Sequence, residues 1–225
     1  MENPDGRRRR GDASRTVVLT RAADLASVEG LDQLSLGRIA EAAAVSKSGI
    51  ATLFGNKERL QLATVATARE RFLATVVEPA RTHARGLDRV VALLANWIAY
   101  SRDRVFPGGC FFAGASTDFD SKPGPVRDAL SRALDDWHDY LAHSLKQAAE
   151  RGELAAGTDG AQLAFEFTAL LDAANGRSVM TGSDAPYDRA IAGLVFRLRA
   201  SGAPVDALAA LDAAPARPAP PHPSG

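Results

Sequence analysis

The chain has 225 residues, of which 46% are hydrophobic and 24% are charged. This composition is typical of a soluble globular protein, and the length suits one sizeable core or a small domain joined to a larger one. No apolar run approaches the roughly 18 residues of a membrane-spanning helix, so we expect a cytoplasmic protein without a membrane partner. The arginines of residues 7–10 have no apolar segment behind them, which argues against a secretory leader.

Charge is balanced overall but not evenly distributed. The 27 Lys and Arg residues equal the 27 Asp and Glu residues, whereas residues 1–60 hold ten basic against eight acidic side chains. A nucleic-acid contact would therefore depend on individually placed side chains and helix ends more than on a strong field. The one cysteine, Cys110, excludes an internal disulfide bond.

The N-terminal region predicts an arm followed by a helix. Residues 1–13 are rich in Arg, Asp and Gly, which indicates a flexible basic arm, either a disordered tail or an extra contact to DNA. Val17 to Glu29 then has apolar residues at helical spacing, and Gly30 can end the helix.

The segment from Ser35 to Leu60 predicts a short helix, a tight turn, a second short helix and the start of a third. Ser35 can cap the first of these helices and Ser46 the second, because each side-chain oxygen can accept from free amides of the first turn. In the second helix Lys47, Ser48 and Thr52 share one side, while Ile50, Leu53 and Phe54 can face a core. This division suits a helix that reads a DNA groove.

The rest of the chain also reads as helix. A fourth helix runs from about Lys57 to Thr82, where Glu78-Pro79 should kink or end it. Further helices are predicted at 87–105, 109–119, 125–152, 161–180 and 186–201, separated by Gly and Pro. Residues 203–225 are rich in Ala and Pro and should be disordered. No segment alternates as a strand would, so the predicted fold class is all-α.

Residues at fixed spacing resemble the N-terminal DNA-binding domain of the TetR family of bacterial transcriptional regulators. The matching positions are Ile39, Ala40, Ala43, Val45, Ser46, Phe54, Lys57, Glu58 and Leu60. The resemblance implies an N-terminal three-helix helix-turn-helix DNA-binding domain at 14–62, after the arm at 1–13. It also implies a C-terminal helical ligand-binding and dimerisation domain at 63–202, before the tail at 203–225.

The resemblance implies a regulator, most simply an effector-responsive repressor, that binds a palindromic double-stranded DNA operator as a homodimer. The residues expected at the DNA are Ser35, Arg38, Ser46, Lys47, Ser48, Gly49, Thr52 and Lys57. Arg38 and Lys57 would hold phosphates, and Gly49 would allow close approach of the backbone.

Two departures from the family pattern leave an alternative open. The family usually has an aromatic residue where this chain has Ala51, and His or Tyr where it has Leu53. Those family side chains often touch the DNA backbone. The alternative is a helical ligand-binding dimer with weakened or lost sequence-specific DNA binding.

In the family the last two helices pair with their mates in a four-helix bundle. Candidate bundle residues are Leu163, Phe167, Leu170, Ala174, Ile191, Leu194, Val195 and Leu198. The other interpretation is that these stripes pack within one chain.

No constellation points to an enzyme, a cofactor or a metal. His138 and His143 are five residues apart on a helix and cannot ligate together, and Asp135, Asp136 and Asp139 suit a solvated face. Cys110 is either a small buried residue or a thiol activated by a helix N-terminus. An unknown small-molecule effector would bind an apolar pocket, whose candidate residues are Phe72, Trp97, Tyr100, Cys110, Phe111, Trp137 and Phe167.

Overall fold

The computed structural model describes residues 4–212, with side chains placed for residues 14–211, and every regular element in this range is helical. The predicted all-α class is confirmed. The helices are α1 (Pro4–Glu29), α2 (Leu36–Ala42), α3 (Lys47–Phe54), α4 (Lys57–Phe72), α5 (Glu78–Ala80), α6 (Leu87–Arg102), α7 (Phe111–Phe119), α8 (Pro125–Glu150), α9 (Gly160–Thr181), α10 (Ala185–Ala200) and α11 (Ala209–Asp212). None of them is long and apolar enough to span a membrane.

The helices form two compact units. Within the described range, the first unit combines residues 4–71 with residues 106–132, and the second combines residues 72–105 with residues 133–212. The sequence predicted a linear division near residue 62, so the structure differs in assigning α7 and the start of α8 to the first unit. The reason is that α7 packs against α1.

The first helix begins earlier than predicted. It starts at Pro4 instead of Val17, so most of the segment expected as a flexible arm is helical. Proline is tolerated in the first turn of a helix, because the N–H that it lacks would have no partner there. Residues 1–3 lie outside the described range.

The core of the first unit joins α1 to the two short helices. Val18, Ala22 and Ala26 on α1 are buried together with Ile39 on α2 and Ile50 on α3. The segment before α7 approaches α1 at Gly108, whose N–H donates to Ser27 Oγ at 3.0 Å. A Cβ at position 108 would lie only 1.8 Å from the Ser27 carbonyl oxygen, so only glycine fits this contact.

In the second unit, α6 is the most buried helix and α9 packs beside α10. A Cβ on Gly193 would lie 3.1 Å from a methyl group of Leu170, so the two helices come close at this glycine. A buried polar cluster joins α6 to the same pair. Ser101 Oγ donates to Asn175 Oδ1 at 2.9 Å and lies 2.7 Å from the Tyr187 hydroxyl, to which Arg104 Nη1 donates at 3.2 Å.

Between α4 and α5 the chain makes a π-helical turn at Leu73–Val77, in which the Glu78 N–H donates to the Leu73 carbonyl. Pro79 follows, and α5 ends at Ala80, near the predicted break. A single wide turn of this kind accommodates Pro79, which has no backbone N–H to donate to the helix.

The predicted disordered tail needs a correction. Leu208 and Leu211 are 1% and 0% exposed, in a 3₁₀ turn at Asp206–Leu208 followed by α11, and both elements pack against α6. Burial of these two leucines stabilises an ordered segment that the Ala-rich composition concealed. Residues 213–225 lie outside the described range.

Candidate nucleic-acid interface

The first short helix and the turn after it are built from local bonds. Ser35 Oγ accepts from the Arg38 N–H at 3.2 Å and caps α2, as predicted. The turn that follows contains Ala44 at a φ of +52°, and it is closed by the Val45 N–H, which donates to the Ala40 carbonyl at 3.0 Å. This turn sets the direction in which α3 leaves α2.

The second short helix presents one polar face to solvent. Lys47, Ser48, Ala51 and Thr52 are exposed, while Ile50 on the opposite side is fully buried. Thr52 Oγ1 donates to the Ser48 carbonyl at 2.9 Å, which orients its hydroxyl along the helix. The exposed strip is about two helical turns long, which is the reach of a recognition helix in a major groove.

Ser46 caps α3 in a way that explains the glycine beside it. Ser46 Oγ accepts from the Gly49 N–H at 3.0 Å. A Cβ on Gly49 would also lie 3.0 Å from that oxygen and would crowd the cap. Gly49 therefore has a structural role within the chain, in addition to the close approach to DNA that we predict for it.

Arg15 holds the end of α3, a role that the sequence did not reveal. Its Nη1 donates to the Leu53 carbonyl at 3.2 Å, and its guanidinium lies 4.6 Å from the centre of the Phe54 ring. Leu53 itself is only half-buried. The contact spans 38 residues, so no local pattern could have indicated it.

Arg38, a predicted phosphate ligand, is engaged inside the chain. Its guanidinium pairs with Glu29 at 2.5 Å and with Glu41 at 3.1 Å. The hydrogen bond from Arg38 lowers the pKa of Glu29, and the same bond raises the pKa of Arg38. A phosphate would have to compete with these two carboxylates for the guanidinium.

Lys57, the second predicted phosphate ligand, begins α4 and is held by the loop after α1. Its Nζ donates to the Asp32 carbonyl at 2.5 Å and lies 3.6 Å from the Asp32 carboxylate. Lys122, beyond α7, binds the same carboxylate at 2.9 Å. The hydrogen bond from Lys122 is the main reason why the pKa of Asp32 is lowered.

The N-terminus of α4 has a cap that the sequence reasoning missed. Asn56 Oδ1 accepts from the Arg59 N–H at 2.8 Å. Gly55, at a φ of +77°, ends α3 immediately before it. The pair Gly55-Asn56 is a recognisable stop-and-start signal, because glycine favours positive φ and asparagine is a preferred N-cap.

The predicted effector-pocket residues fall into two groups. In the second unit the Phe72 ring meets those of Tyr100 and Trp137 edge to face, both at 5.4 Å between centroids. Trp97 lies 6.3 Å from Tyr100, and Phe167 is fully buried. Cys110 and Phe111 are buried in the first unit, so the structure does not gather all seven side chains in one unit.

No group of three or more potential metal ligands occurs among the described side chains. Cys110 forms no disulfide bond, is buried and immediately precedes α7. Its burial agrees with the first interpretation, a small buried packing residue, and the alternative of an activated thiol stays a prediction.

Two family models match the chain. The model described as bacterial regulatory proteins, tetR family, matches residues 18–64, and the model described as Tetracyclin repressor-like, C-terminal domain, matches residues 86–194. Together they cover more than half of the chain, including the two short helices described above. A search among curated proteins finds no significant match.

Solved structures resemble the chain over most of its length. A TetR-family transcriptional regulator from Cytophaga hutchinsonii is 20% identical, covers 85% of this chain and 96% of its own, and has a TM-score of 0.74. A TetR transcriptional regulator from Chloroflexus aurantiacus is 25% identical, with 83% and 94% coverage and a TM-score of 0.74. AibR in complex with isovaleryl coenzyme A and operator DNA is 21% identical, with 71% and 84% coverage and a TM-score of 0.60.

Proposed function

Because the chain belongs to the TetR family of bacterial regulatory proteins, and is therefore a transcriptional regulator and not an enzyme, we propose that it is an effector-responsive repressor. In this proposal it binds a palindromic operator as a homodimer and acts in the cytoplasm, where the bacterial chromosome lies. Each protomer inserts α3 into the major groove of one half of the operator.

The exposed polar face of α3 is the observation that carries this proposal. Lys47 and Ser48 stand at the N-terminal end of the helix, where recognition helices meet base edges. Lys47 can donate to guanine acceptors, and hydroxyls can pair with either donors or acceptors. The buried opposite face fixes the rotation of the helix, so these side chains keep their direction without DNA.

Phosphate contacts would come from Arg38 and Lys57, on either side of α3 in the sequence. A dimer would then place four cations on phosphates, which predicts a slope of about −3.6 for the logarithm of affinity against the logarithm of salt. Both cations already have partners in the chain, so only part of their interaction energy is gained on binding.

The homodimer interface is proposed for the outer faces of α9 and α10. Of the residues predicted for a bundle, Leu163, Phe167, Ala174, Leu194 and Leu198 are buried within their own chain and cannot serve as its exposed surface. Other apolar side chains on the same two helices are exposed instead, namely Phe165, Val179, Met180 and Phe196. Exposed apolar side chains on two neighbouring helices suit burial against a second copy of the chain.

An effector would act by binding more tightly to the state that does not bind DNA. A few kcal/mol of difference in affinity is enough to release an operator. The structural relative AibR was solved with isovaleryl coenzyme A and operator DNA, which supports a small-molecule effector for this chain as well.

The test is selection of genomic fragments by the purified protein, followed by a salt titration on the best fragment. We expect one palindromic site to be enriched, and we expect Lys47→Gln to weaken binding to it at least tenfold. Lys146→Gln removes an exposed charge from α8 and serves as the matched control. Weak binding that is indifferent to sequence, or equal losses in the two variants, would contradict the proposal.

A second candidate function is a ligand-binding dimer with weakened DNA binding. The internal pairing of Arg38 favours it, together with the exposed Ala51 where the family has an aromatic residue. Glu29→Gln weakens the hold on Arg38, and Ala51→Tyr supplies the missing ring. If the helix-turn-helix has lost specific DNA binding, these changes should raise DNA affinity tenfold or more. If it already binds its operator, the gain should be about threefold or less.

A further inference from the structure

We propose that a cleft in the second unit binds a small molecule that carries a phosphate group. Its volume is about 430 Å³. One wall is the segment between α5 and α6 with the first turn of α6, which contributes three arginines. The other wall is α8. The lining residues are Arg81, Arg85, Arg89, Tyr140, His143, Ser144 and Gln147.

The α8 wall is one face of that helix. Tyr140, His143, Ser144 and Gln147 are separated by three or four residues, so their side chains project in the same direction. All four can donate or accept hydrogen bonds. This wall faces the three arginines. The cleft is therefore too polar for an apolar ligand, because such a ligand would leave the polar groups of both walls unpaired.

The positive charge of the cleft is only partly neutralised. Arg81 pairs with Glu78 at 2.8 Å, and its guanidinium lies 5.9 Å from the centre of the Tyr140 ring. Arg85 makes no ion pair or hydrogen bond to any side chain within residues 14–211. Arg89 likewise has no carboxylate partner there, so two of the three guanidinium charges are uncompensated.

Arg89 is also held in place with one donor unused. Its Nη2 donates to the carbonyl oxygens of Arg81 and His83, at 3.1 and 2.7 Å. Its Nε is shielded from solvent and has no hydrogen-bond partner. An uncompensated, immobilised cation beside a second free arginine is stabilised by an incoming anion, and it loses little side-chain entropy on binding.

Phosphate fits this chemistry better than a single carboxylate. Guanidinium groups match phosphate oxygens with two parallel hydrogen bonds, and two or three arginines can share one doubly charged group. Two carboxylates of the same segment are already engaged, because Asp88 pairs with His83 and Glu78 with Arg81. The group that the cleft would bind is the phosphate, which both nucleotides and sugar phosphates carry.

The cleft is separate from the exposed face of α3, and all its residues belong to the second unit. The proposal therefore does not depend on DNA binding. It also differs from the aromatic pocket expected from the sequence, since none of those aromatic residues lines the cleft.

The test is calorimetric titration of the full chain, without DNA, with inorganic pyrophosphate, with ADP and with glucose 6-phosphate. We expect at least one of these probes to bind with a dissociation constant below 1 mM. Arg85→Gln and Arg89→Gln should each weaken that binding at least tenfold. Arg127→Gln, which removes an exposed arginine from the first unit, should leave it within twofold.

Arg85→Gln keeps the proposal testable if Arg89→Gln unfolds, since Arg85 supports no other group in the described chain. Tighter binding of ADP or of the sugar phosphate than of pyrophosphate would identify the source of the phosphate. The proposal is overturned if no probe binds, or if Arg127→Gln weakens binding as much as Arg85→Gln. It is also overturned if the cleft variants lose affinity for duplex DNA and not for the small phosphates.

Discussion

Gly108→Ala should weaken the attachment of the α7 segment to α1. The new Cβ would lie 1.8 Å from the Ser27 carbonyl oxygen, whereas real contacts of this kind begin at 3.0 Å, so the backbones must separate by at least 1.2 Å. That movement also breaks the hydrogen bond from the Gly108 N–H to Ser27 Oγ. Overpacking costs about 1–3 kcal/mol and the hydrogen bond contributes about 1 kcal/mol, so we expect a loss of roughly 2–4 kcal/mol.

The assay is thermal and urea unfolding of the purified Gly108→Ala variant and of the unmodified protein. For a chain of this length the loss should lower the melting temperature by roughly 5–15 °C. Gly114→Ala is the matched control, because it lies inside α7 and its Cβ would be 4.0 Å from the same Ser27 oxygen. Alanine should stabilise that exposed helical position by about 0.5–1 kcal/mol. Equal stability of Gly108→Ala and the unmodified protein would refute this account of the contact.

Three further outcomes are expected from unfolding measurements. Asp32 has a lowered pKa, so its ion pairs stabilise the fold above about pH 4 and are lost in acid; Asp32→Asn should flatten the acid limb of a plot of stability against pH. Ser101→Ala should cost about 1–3 kcal/mol, because it leaves buried partners on two helices unsatisfied. Leu211→Ala should cost about 2–5 kcal/mol. Val205→Ala, at a 59% exposed position of the same segment, should cost little.

The short helices of the first unit could be predicted because their signals are local. Ser35 and Ser46 each lie three residues before the N–H that they cap, so sequence spacing alone is sufficient. The apolar positions Ile39, Ile50 and Phe54 also follow helical spacing and are buried as expected. Sequence reasoning is reliable here because both the caps and the buried face lie within a few residues of each other.

Contacts between distant residues could not be predicted in the same way. Lys122 lies 90 residues from Asp32, and Arg15 lies 38 residues from Leu53. Many lysines and arginines in the chain could have made either contact. The packing of α7 against α1 is what brings Lys122 to Asp32. The same limitation explains the domain division, since no local signal shows that residues 106–132 return to the first unit.

Composition misled the interpretation of the C-terminal segment. Alanine and proline dominate from residue 203 onward, and only Leu208 and Leu211 distinguish the part that packs. Two leucines three residues apart are weak evidence by themselves, because the surface of α6 that receives them is not visible in the sequence.

The joint between α3 and α4 has a consequence for how binding preferences can change. Gly55 and Asn56 are the only residues between the two helices, and both of their N–H groups are used, toward Ala51 and Phe54. A joint of two residues keeps the end of α3 next to the start of α4. If the chain reads DNA as proposed, base preference resides in the four exposed side chains of α3, namely Lys47, Ser48, Ala51 and Thr52. Replacing those four side chains would then change the preferred bases without altering the cap and the buried residues that hold α3.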